Sequence, residues 1–364
     1  MAASQARRPQ PMSVETVQEA RRQIEICNAC RYCEGYCAVF PAITRQTAFA
    51  DGDITQLANL CHNCRGCYYA CQYTEPHEFA INLPRALAEV RTDIWKELAW
   101  PSGFGRAYDR HGMAIATMVV VCLCLLAFSV SSLQPAAGEG FYAYMSHGLM
   151  VAIFAPAFFL PLLAMAVSVR RYWRNVGGGA VTWRAVACAF HDVATMRNLA
   201  GGQDQGCNFE DEDRFSNARR VAHQLTLWGF LLCFASTSSG TVLHYVFDMP
   251  APYGVFSLPK LLGIPGGLML SGGTLWMVRL KLQAGDGLSD ARVRGGDMAF
   301  VVLLFAVSTS GLLLYLATHT RLVPYMLTFH LATVLTLFLT LPYSKFVHGF
   351  YRLAALIGNV QRAR

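Results

Sequence analysis

Two stretches of the chain share one spacing of cysteines: CNACRYCEGYC at residues 27–37 and CHNCRGCYYAC at residues 61–71. In both, the spacing is C-x2-C-x2-C-x3-C. Three thiolates two residues apart can surround one corner of a metal centre, and a fourth must come from elsewhere in the chain. Because two matched sets of four cysteines rarely arise by chance, the fold of the first hundred residues depends on what these thiols bind.

This spacing is that of iron–sulfur ligands. In bacterial proteins with two [4Fe–4S] clusters, the fourth cysteine of each run binds the other cluster. We therefore predict two clusters with crossed ligands. One is held by Cys27, Cys30, Cys33 and Cys71, and the other by Cys61, Cys64, Cys67 and Cys37.

Zinc and disulfide bonds are the alternatives. Structural zinc uses four ligands, commonly two C-x2-C pairs, so each run would leave a cysteine over. Disulfides form in oxidising compartments, and no feature here indicates export of this segment. Ala38 and Gln72 stand where proline usually follows the fourth cysteine. Since the flanking residues have helical spacing, we expect a helix-rich ferredoxin-like domain.

Most of the remaining chain is apolar. Hydrophobic residues make up 54% of the 364 residues, and charged residues only 15%. A helix that spans a bilayer needs about 20 mainly apolar residues. Six stretches reach or approach this length: 113–133, 146–169, 221–247, 260–280, 298–318 and 326–346. The predicted fold is all-α, with the two-cluster domain followed by a six-helix transmembrane bundle like that of a cytochrome b.

These patterns divide the chain into segments. They are a leader (1–26), the two-cluster domain (27–78), a helical connector (79–112), a transmembrane hairpin (113–169), a cytoplasmic insertion (170–220), four transmembrane helices (221–348) and a cytoplasmic tail (349–364). Within the insertion, residues 181–199 have the spacing of an amphipathic helix on the membrane surface. The glycine-rich and acidic stretch that follows is either a loop facing the cofactors or a solvated linker.

Positive charge predicts the orientation in the membrane. The insertion holds eight Lys and Arg residues, whereas residues 134–144 and 248–259 hold none. The positive-inside rule then places the insertion and both termini in the cytoplasm. No cleavable signal peptide is visible in the first 26 residues. The predicted location is the bacterial inner membrane, and the net charge of +7 reflects this bias rather than binding of nucleic acid.

Histidines near the ends of the predicted spans point to haem, because histidine is a usual ligand of haem iron. His223 and His244 lie at the two ends of the third span, and His330 and His348 at the two ends of the sixth. Since these helices run antiparallel, His223 can face His348 at the inner side, and His244 can face His330 at the outer side. This arrangement predicts one or two b-type haems.

Two further histidines are alternative haem ligands, His111 at the inner side and His147 at the outer side. The competing interpretation is that all of these are interfacial histidines, whose polar tips reach water at helix ends. His62 and His77 flank the cysteine runs, and we expect them to tune or solvate the clusters rather than to bind them.

No substrate chemistry is visible. The sequence has no glycine-rich dinucleotide fingerprint, P-loop or nucleophile elbow. Cytoplasmic clusters joined to a membrane domain with candidate haem ligands predict an electron-transfer protein. Such a protein takes electrons from a soluble donor to a membrane acceptor, most naturally quinone, and its cofactors carry the chemistry.

The cysteine runs are accompanied by a loop with the segments HDVATMRNLAGG (191–202), GCNFEDE (206–212) and SNARR (216–220). Together with the hydrophobic half, they resemble the tricarballylate-utilisation protein B family, also called citrate-utilisation protein B, over nearly the whole chain. The resemblance implies a soluble FAD-dependent tricarballylate dehydrogenase as partner, which makes cis-aconitate. Its reduced flavin would be reoxidised through the clusters and haem to a membrane acceptor. Neither substrate nor partner follows from the residues themselves.

Three other functions remain open. The nearest is the membrane electron-transfer subunit of another dehydrogenase or reductase, resembling the heterodisulfide-reductase or nitrate-reductase gamma type. The second is a membrane-bound redox sensor with labile iron–sulfur clusters, and the third is a zinc-stabilised scaffold. The optical spectrum of the purified protein separates the redox functions from the zinc scaffold.

Overall fold

The computed structural model describes residues 12–133, 144–202, 204–210, 212–285, 287–318 and 320–363. Over these ranges the chain is mostly helical and forms no β-strand; an isolated antiparallel bridge joins Cys207 and Ser216. The prediction of an all-α fold is therefore confirmed.

Five helices build the N-terminal domain: α1 (Met12–Cys30), α2 (Val39–Thr44), α3 (Asp51–Leu60), α4 (Gly66–Tyr69) and α5 (Leu83–Leu98). Asn82 caps α5, since its side-chain oxygen accepts a hydrogen bond of 3.2 Å from the amide of Arg85. Pro84 stands in the first turn, where its missing amide hydrogen has no intrahelical partner to lose.

The core of this domain lies where α1, α3 and α5 meet. Ile24, Leu57 and Leu87, one from each helix, are fully buried there. Packing of these helices fixes the cysteine runs, because α1 ends at Cys30 and α3 ends directly before Cys61. Most of the thiols therefore lie on turns or at helix ends, where neighbouring segments can approach one another.

The rest of the chain forms α6 (Ser102–Leu133), α7 (His147–Asn175), α8 (Trp183–Thr195), α9 (Ala218–Val246), α10 (Leu258–Gln283), α11 (Arg294–Leu316), α12 (Val323–Thr340) and α13 (His348–Arg362). Five of these are long and apolar enough to cross a membrane: α7, α9, α10, α11 and α12. These five match five of the six predicted spans.

The predicted first span lies in α6, which has a kink at His111, where the backbone is non-helical (φ −135°, ψ 26°). The apolar stretch described after the kink, His111–Leu125, is shorter than a bilayer span. The count of six spans thus exceeds the five long apolar helices of the described residues. The loop that was expected to close the first hairpin lies mostly outside those residues.

Helices α9 and α10 pack closely because of glycine. A Cβ atom at Gly266 would lie 2.9 Å from the backbone nitrogen of Cys233, and one at Gly273 would lie 2.7 Å from that of Thr226. Small residues permit this approach of two helices in a membrane. The glycines that interrupt the fourth apolar stretch in the sequence therefore serve helix packing.

The predicted cytoplasmic tail is the packed helix α13. Its Ala355 is fully buried, and the carbonyl of Ala355 accepts a hydrogen bond of 2.6 Å from the Gln56 side chain on α3. The side-chain oxygen of Gln56 in turn accepts a hydrogen bond of 2.7 Å from the Tyr172 hydroxyl on α7. This buried chain of hydrogen bonds joins the N-terminal domain, the end of a membrane helix and the C-terminal helix.

The insertion contains the predicted amphipathic helix, observed as α8. Ala185 and Ala189 are fully buried on one face, whereas Trp183 and Phe190 are 83% and 55% exposed. The carbonyl of Thr195 at its end accepts hydrogen bonds from the side chains of Arg220 and Gln224 at the start of α9. Helix α8 therefore lies beside the end of α9 that is nearest the cysteines.

Candidate functional site

The cysteines of the two runs mix in space. We call Cys27, Cys30, Cys33 and Cys71 the outer set, and Cys61, Cys64, Cys67 and Cys37 the inner set. All four members of the outer set line one cavity of about 230 Å³, and Cys67 also borders it. Among the thiols near Cys27, Cys71 from the other run has the largest electrostatic effect on the pKa of Cys27. The fourth cysteine of the second run thus lies with the first three of the first run.

The inner set has the reciprocal arrangement. Cys64 and Cys61, from the second run, are the titratable neighbours of Cys37, from the first run. Burial raises the pKa of Cys37 well above the ordinary value, and burial followed by the charge of Cys61 raises the pKa of Cys64 to about 11. Buried thiols of this kind give up their protons when a metal centre binds them as thiolates.

The geometry of the cysteines can be compared with what a cluster and a single ion each need. In the described parts of the chain, no group of three or more His, Cys, Asp and Glu side chains is arranged to hold one metal ion. Zinc ligands all lie about 2.0–2.3 Å from one centre. A [4Fe–4S] cluster instead takes four thiolates on four different irons, so its ligands surround a larger space. Thiols around a cavity of about 230 Å³ fit the cluster better than the ion.

The two sets differ in exposure. Cys30 of the outer set is exposed, whereas no cysteine of the inner set is. Tyr32, beside Cys30 on the cavity wall, is 70% exposed. The outer set therefore lies nearer the solvent.

Two arginines hold the loop of the inner set, one from α5 of the N-terminal domain and one from α13. The guanidinium of Arg91 on α5 donates to the carbonyls of Ala58 and Cys61, at 3.0 and 2.8 Å. The guanidinium of Arg352 on α13 donates to the same Cys61 carbonyl at 2.7 Å. Two cationic groups thus converge on the backbone of the first cysteine in the second run.

Two further arginines join this loop to the insertion, Arg65 from the loop itself and Arg219 from the end of the insertion. Arg219 donates to the carbonyl of Asn63 at 2.7 Å, and Arg65 donates to the carbonyl of Phe209 at 2.9 Å. Both guanidinium groups lie over the Phe209 ring, at 4.1 and 4.6 Å from its centroid. The amide of Asn208 donates to the carbonyl of Cys64 at 2.9 Å. Residues 207–209 are therefore one wall of the inner set, which favours the cofactor-facing alternative for this loop.

The predicted inner histidine pair is close in space. The ring centroids of His223 and His348 lie 5.8 Å apart. A metal–imidazole bond is about 2 Å, as for zinc, so nitrogens on opposite sides of one metal are about 4 Å apart and their ring centres are further apart still. The Nδ1 of His348 is hydrogen-bonded to the Lys345 carbonyl, which leaves Nε2 for a metal. The two residues are close enough that both would hold one haem iron if haem binds here, and that group would supply one-electron redox chemistry.

The predicted outer pair has different neighbours. The ring beside His244 is that of His147, the alternative ligand, with centroids 4.3 Å apart. The Nδ1 of His330 is instead hydrogen-bonded to the Ser310 hydroxyl at 2.9 Å. The structure thus brings His244 beside His147 and His330 beside Ser310, because the start of α7 lies against the end of α9 and α12 packs on α11. The 4.3 Å between the ring centroids of His244 and His147 is too short for a metal bound between the two imidazoles, because their nitrogens alone would then be about 4 Å apart.

The remaining histidines take local positions. His111 is exposed at the kink of α6. His62 is hydrogen-bonded through Nδ1 to the Leu60 carbonyl at 2.7 Å, and His77 accepts a hydrogen bond from the Phe79 amide at 3.1 Å. His62 and His77 make backbone contacts beside the cysteine loops.

Comparison with known proteins agrees with this architecture. Residues 20–96 match the family model described as citrate utilization protein B Fer4-like domain, and residues 110–364 match that described as citrate utilization protein B. The citrate utilization protein B of Escherichia coli is 41% identical over 344 residues, which cover 93% of this chain and 90% of that protein. No solved structure matches the chain. The first matched region ends within α5 and the second begins within α6, so the boundary between them falls where the cysteine domain is followed by the apolar helices. The chain therefore belongs to the citrate utilization protein B family.

Proposed function

We propose that this protein carries electrons from a soluble flavoprotein dehydrogenase to membrane quinone. The observation that carries the proposal is the exchange of cysteines between the two runs, with Cys71 beside the outer set and Cys37 beside the inner set. This exchange is the pattern of a domain that holds two [4Fe–4S] clusters. The Fer4-like family match covers the same residues.

The protein's own contribution is placement and protection. Bound clusters supply one-electron redox chemistry, and the two sets hold them next to each other. The exposed Cys30 leaves the outer set accessible to a soluble donor. The inner set lies towards the membrane domain, because Arg352, which bonds to the Cys61 carbonyl, follows His348 by one helical turn. Electrons would then pass from the outer set to the inner set.

In this proposal, haem b at His223 and His348 is the electron acceptor that follows the inner set. The spacing of 5.8 Å between these rings and the hydrogen bond that orients His348 both support an iron site. Both residues lie at the ends of their helices that face the cysteine domain. A haem at this place would receive electrons from the inner set and pass them to quinone dissolved in the bilayer.

The family supplies the class of donor. The relative in Escherichia coli is named for citrate utilization, and the resemblance noted above implies a tricarballylate dehydrogenase. We therefore take an FAD-dependent enzyme that oxidises a tricarboxylate as the partner. The site described above contributes no substrate-oxidising group of its own, so that chemistry belongs to the flavoprotein.

The location in the membrane follows from packing and charge. Helix α13 bonds to α3 of the cysteine domain, so the C-terminal helix and both cysteine sets lie on one side of the membrane. The excess of Lys and Arg in the insertion, on that same side, indicates the cytoplasm. The protein would therefore lie in the bacterial inner membrane with both ends inside.

The test is quinone reduction in proteoliposomes that contain the purified protein. Reduced flavoprotein is added without oxygen, and absorbance of the clusters, haem and quinone is followed. We expect quinone reduction with wild-type protein and with Cys122→Ser, a control on α6. A Cys64→Ser variant should lose the reaction. Stoichiometric zinc without visible absorbance in the wild-type protein would exclude the proposal.

A further inference from the structure

The inner set is surrounded by cations that have no acidic partner. We call the four residues that hydrogen-bond to its loop or to the adjoining loop the arginine cage: Arg65, Arg91, Arg219 and Arg352. Arg65 and Arg91 are only 2% and 6% exposed. Within the described residues, no Asp or Glu forms an ion pair with any of the four. Four backbone carbonyls, those of Ala58, Cys61, Asn63 and Phe209, accept hydrogen bonds from them, and Arg219 also bonds to the Cys207 side chain.

The cage is also incompletely satisfied. The Nε atoms of Arg65, Arg219 and Arg352 are shielded from solvent and lack a hydrogen-bond partner in the structure. Burying a cation is costly unless an anion compensates its charge. Four such groups converge on one loop, and this loop carries Cys61 and Cys64. The Glu210 carboxylate lies near Cys207 but forms no ion pair with the four arginines, so this geometry favours a further negative group at the inner set, and an iron–sulfur centre with four thiolate ligands is one.

The outer set has a different electrostatic environment. The arginine of its loop, Arg31, is exposed and donates to the carbonyl of Asn28 at 3.0 Å. Water and salt screen an exposed charge much more than a buried one. Burial, followed by the proximity of other cysteine thiols, raises the pKa of Cys27 and Cys33. The two sets thus each consist of four cysteines but have different electrostatic surroundings.

This contrast predicts a difference in reduction potential. A cluster gains one negative charge when it takes up an electron, and buried cations favour the reduced form more than the oxidised form. Net charge and hydrogen bonds near the sulfurs are known controls of cluster potential. We propose that the arginine cage raises the reduction potential of the inner cluster above that of the outer cluster, and so directs electrons inward.

This inference rests on the proposed function, since it needs both clusters. It adds an order: one electron leaves the reduced flavin of the partner, enters at the exposed set beside Cys30, and moves to the set beside Arg352. The oxidised outer cluster is then free for the second electron of the same flavin. Arg352 is a positioning and tuning residue, because it bonds to the Cys61 carbonyl rather than to a redox centre.

The experiment is a potentiometric titration followed by electron paramagnetic resonance, on full-length protein purified without oxygen. Cys30→Ser and Cys64→Ser variants assign the two signals to the outer and inner sets. In wild-type protein, we expect the inner signal to have the higher midpoint potential. Arg352→Gln should lower the inner midpoint and leave the outer one unchanged. Arg352→Lys, which keeps the charge, should restore most of the shift.

Arg31→Gln is the matched control, and it should leave the inner midpoint unchanged. If Arg352→Gln does not fold, Arg219→Gln tests the same cage from the insertion, and iron content verifies loading. The proposed effect of the arginine cage is overturned if neither glutamine variant moves the midpoint potential of the inner cluster. It is also overturned if that midpoint lies below the outer one in wild-type protein. Absence of both signals would instead overturn the proposed function, so the two failures are distinct.

Discussion

The guanidinium of Arg352 lies 2.7 Å from the carbonyl oxygen of Cys61, although the two residues are 291 positions apart in the chain. One is in the last helix and the other is in the second cysteine run. The same helix bonds to Gln56 and begins with His348, the candidate haem ligand. Residues 348–362 therefore contain the candidate haem ligand and contact both α3 and the loop of the inner set.

Removal of this helix should affect the inner set first. A chain that ends at residue 347 loses the bonds of Arg352 to Cys61 and of Ala355 to Gln56. We expect loss of the inner cluster signal, a lower iron content and a lower unfolding temperature. The control removes only residues 363 and 364 and should keep both signals. A truncated protein with normal iron content would contradict this role of α13.

The exchange of cysteines can be tested by comparing variants across the two runs. Cys71→Ser should remove the same signal as Cys30→Ser, because both residues lie in the outer set. Cys37→Ser should remove the signal that Cys64→Ser removes. If Cys71→Ser and Cys64→Ser instead lose the same signal, each run holds its own cluster. Paramagnetic resonance spectra of the four reduced variants decide between the two arrangements.

The inner histidine pair predicts the haem. Alanine at His223 or His348 leaves an open coordination position, so each variant should lose most of the low-spin haem b absorbance in a reduced-minus-oxidised spectrum. His191, which is exposed on α8, is the control and should not matter. Substitution of His330 should have a smaller effect, since Ser310 already binds its ring. Full absorbance in both inner variants would exclude this pair.

Glycine at the contact of α9 and α10 predicts a difference in stability between two similar substitutions. Gly266→Ala places a methyl group 2.9 Å from a backbone nitrogen, and such overpacking costs about 1–3 kcal/mol. Gly272→Ala, one and a half turns along the same helix, meets nothing within 4 Å. We expect a lower thermal midpoint in detergent for the first variant only. Equal midpoints would show that the helices separate easily.

Local patterns predicted much of this molecule. The repeated spacing of Cys27 to Cys37 and of Cys61 to Cys71 placed ligands on turns, and apolar length predicted the membrane helices. His223 and His348 lie close together as predicted, although His348 begins α13 instead of ending the sixth span, α12. In each case the information lies within one element or in a simple relation between two.

Other contacts leave no local pattern. Arg219 and Asn63 are 156 positions apart, and neither residue type at that distance indicates contact. The partner of His244 depends on which helix lies beside α9, and hydrophobic periodicity does not determine neighbours in a bundle. The roles of the insertion and of α13 at the inner set could therefore be found only in the structure.

The position of Arg352 also has a consequence for how the protein is made. The ribosome releases the cysteine runs first and α13 last, with all the long apolar helices between them. The Cys61 carbonyl can therefore receive its bond from Arg352 only after those helices have been synthesised. The support that Arg352 gives to the loop of the inner set is therefore completed last, and a chain that stalls before α13 leaves the Cys61 carbonyl without it.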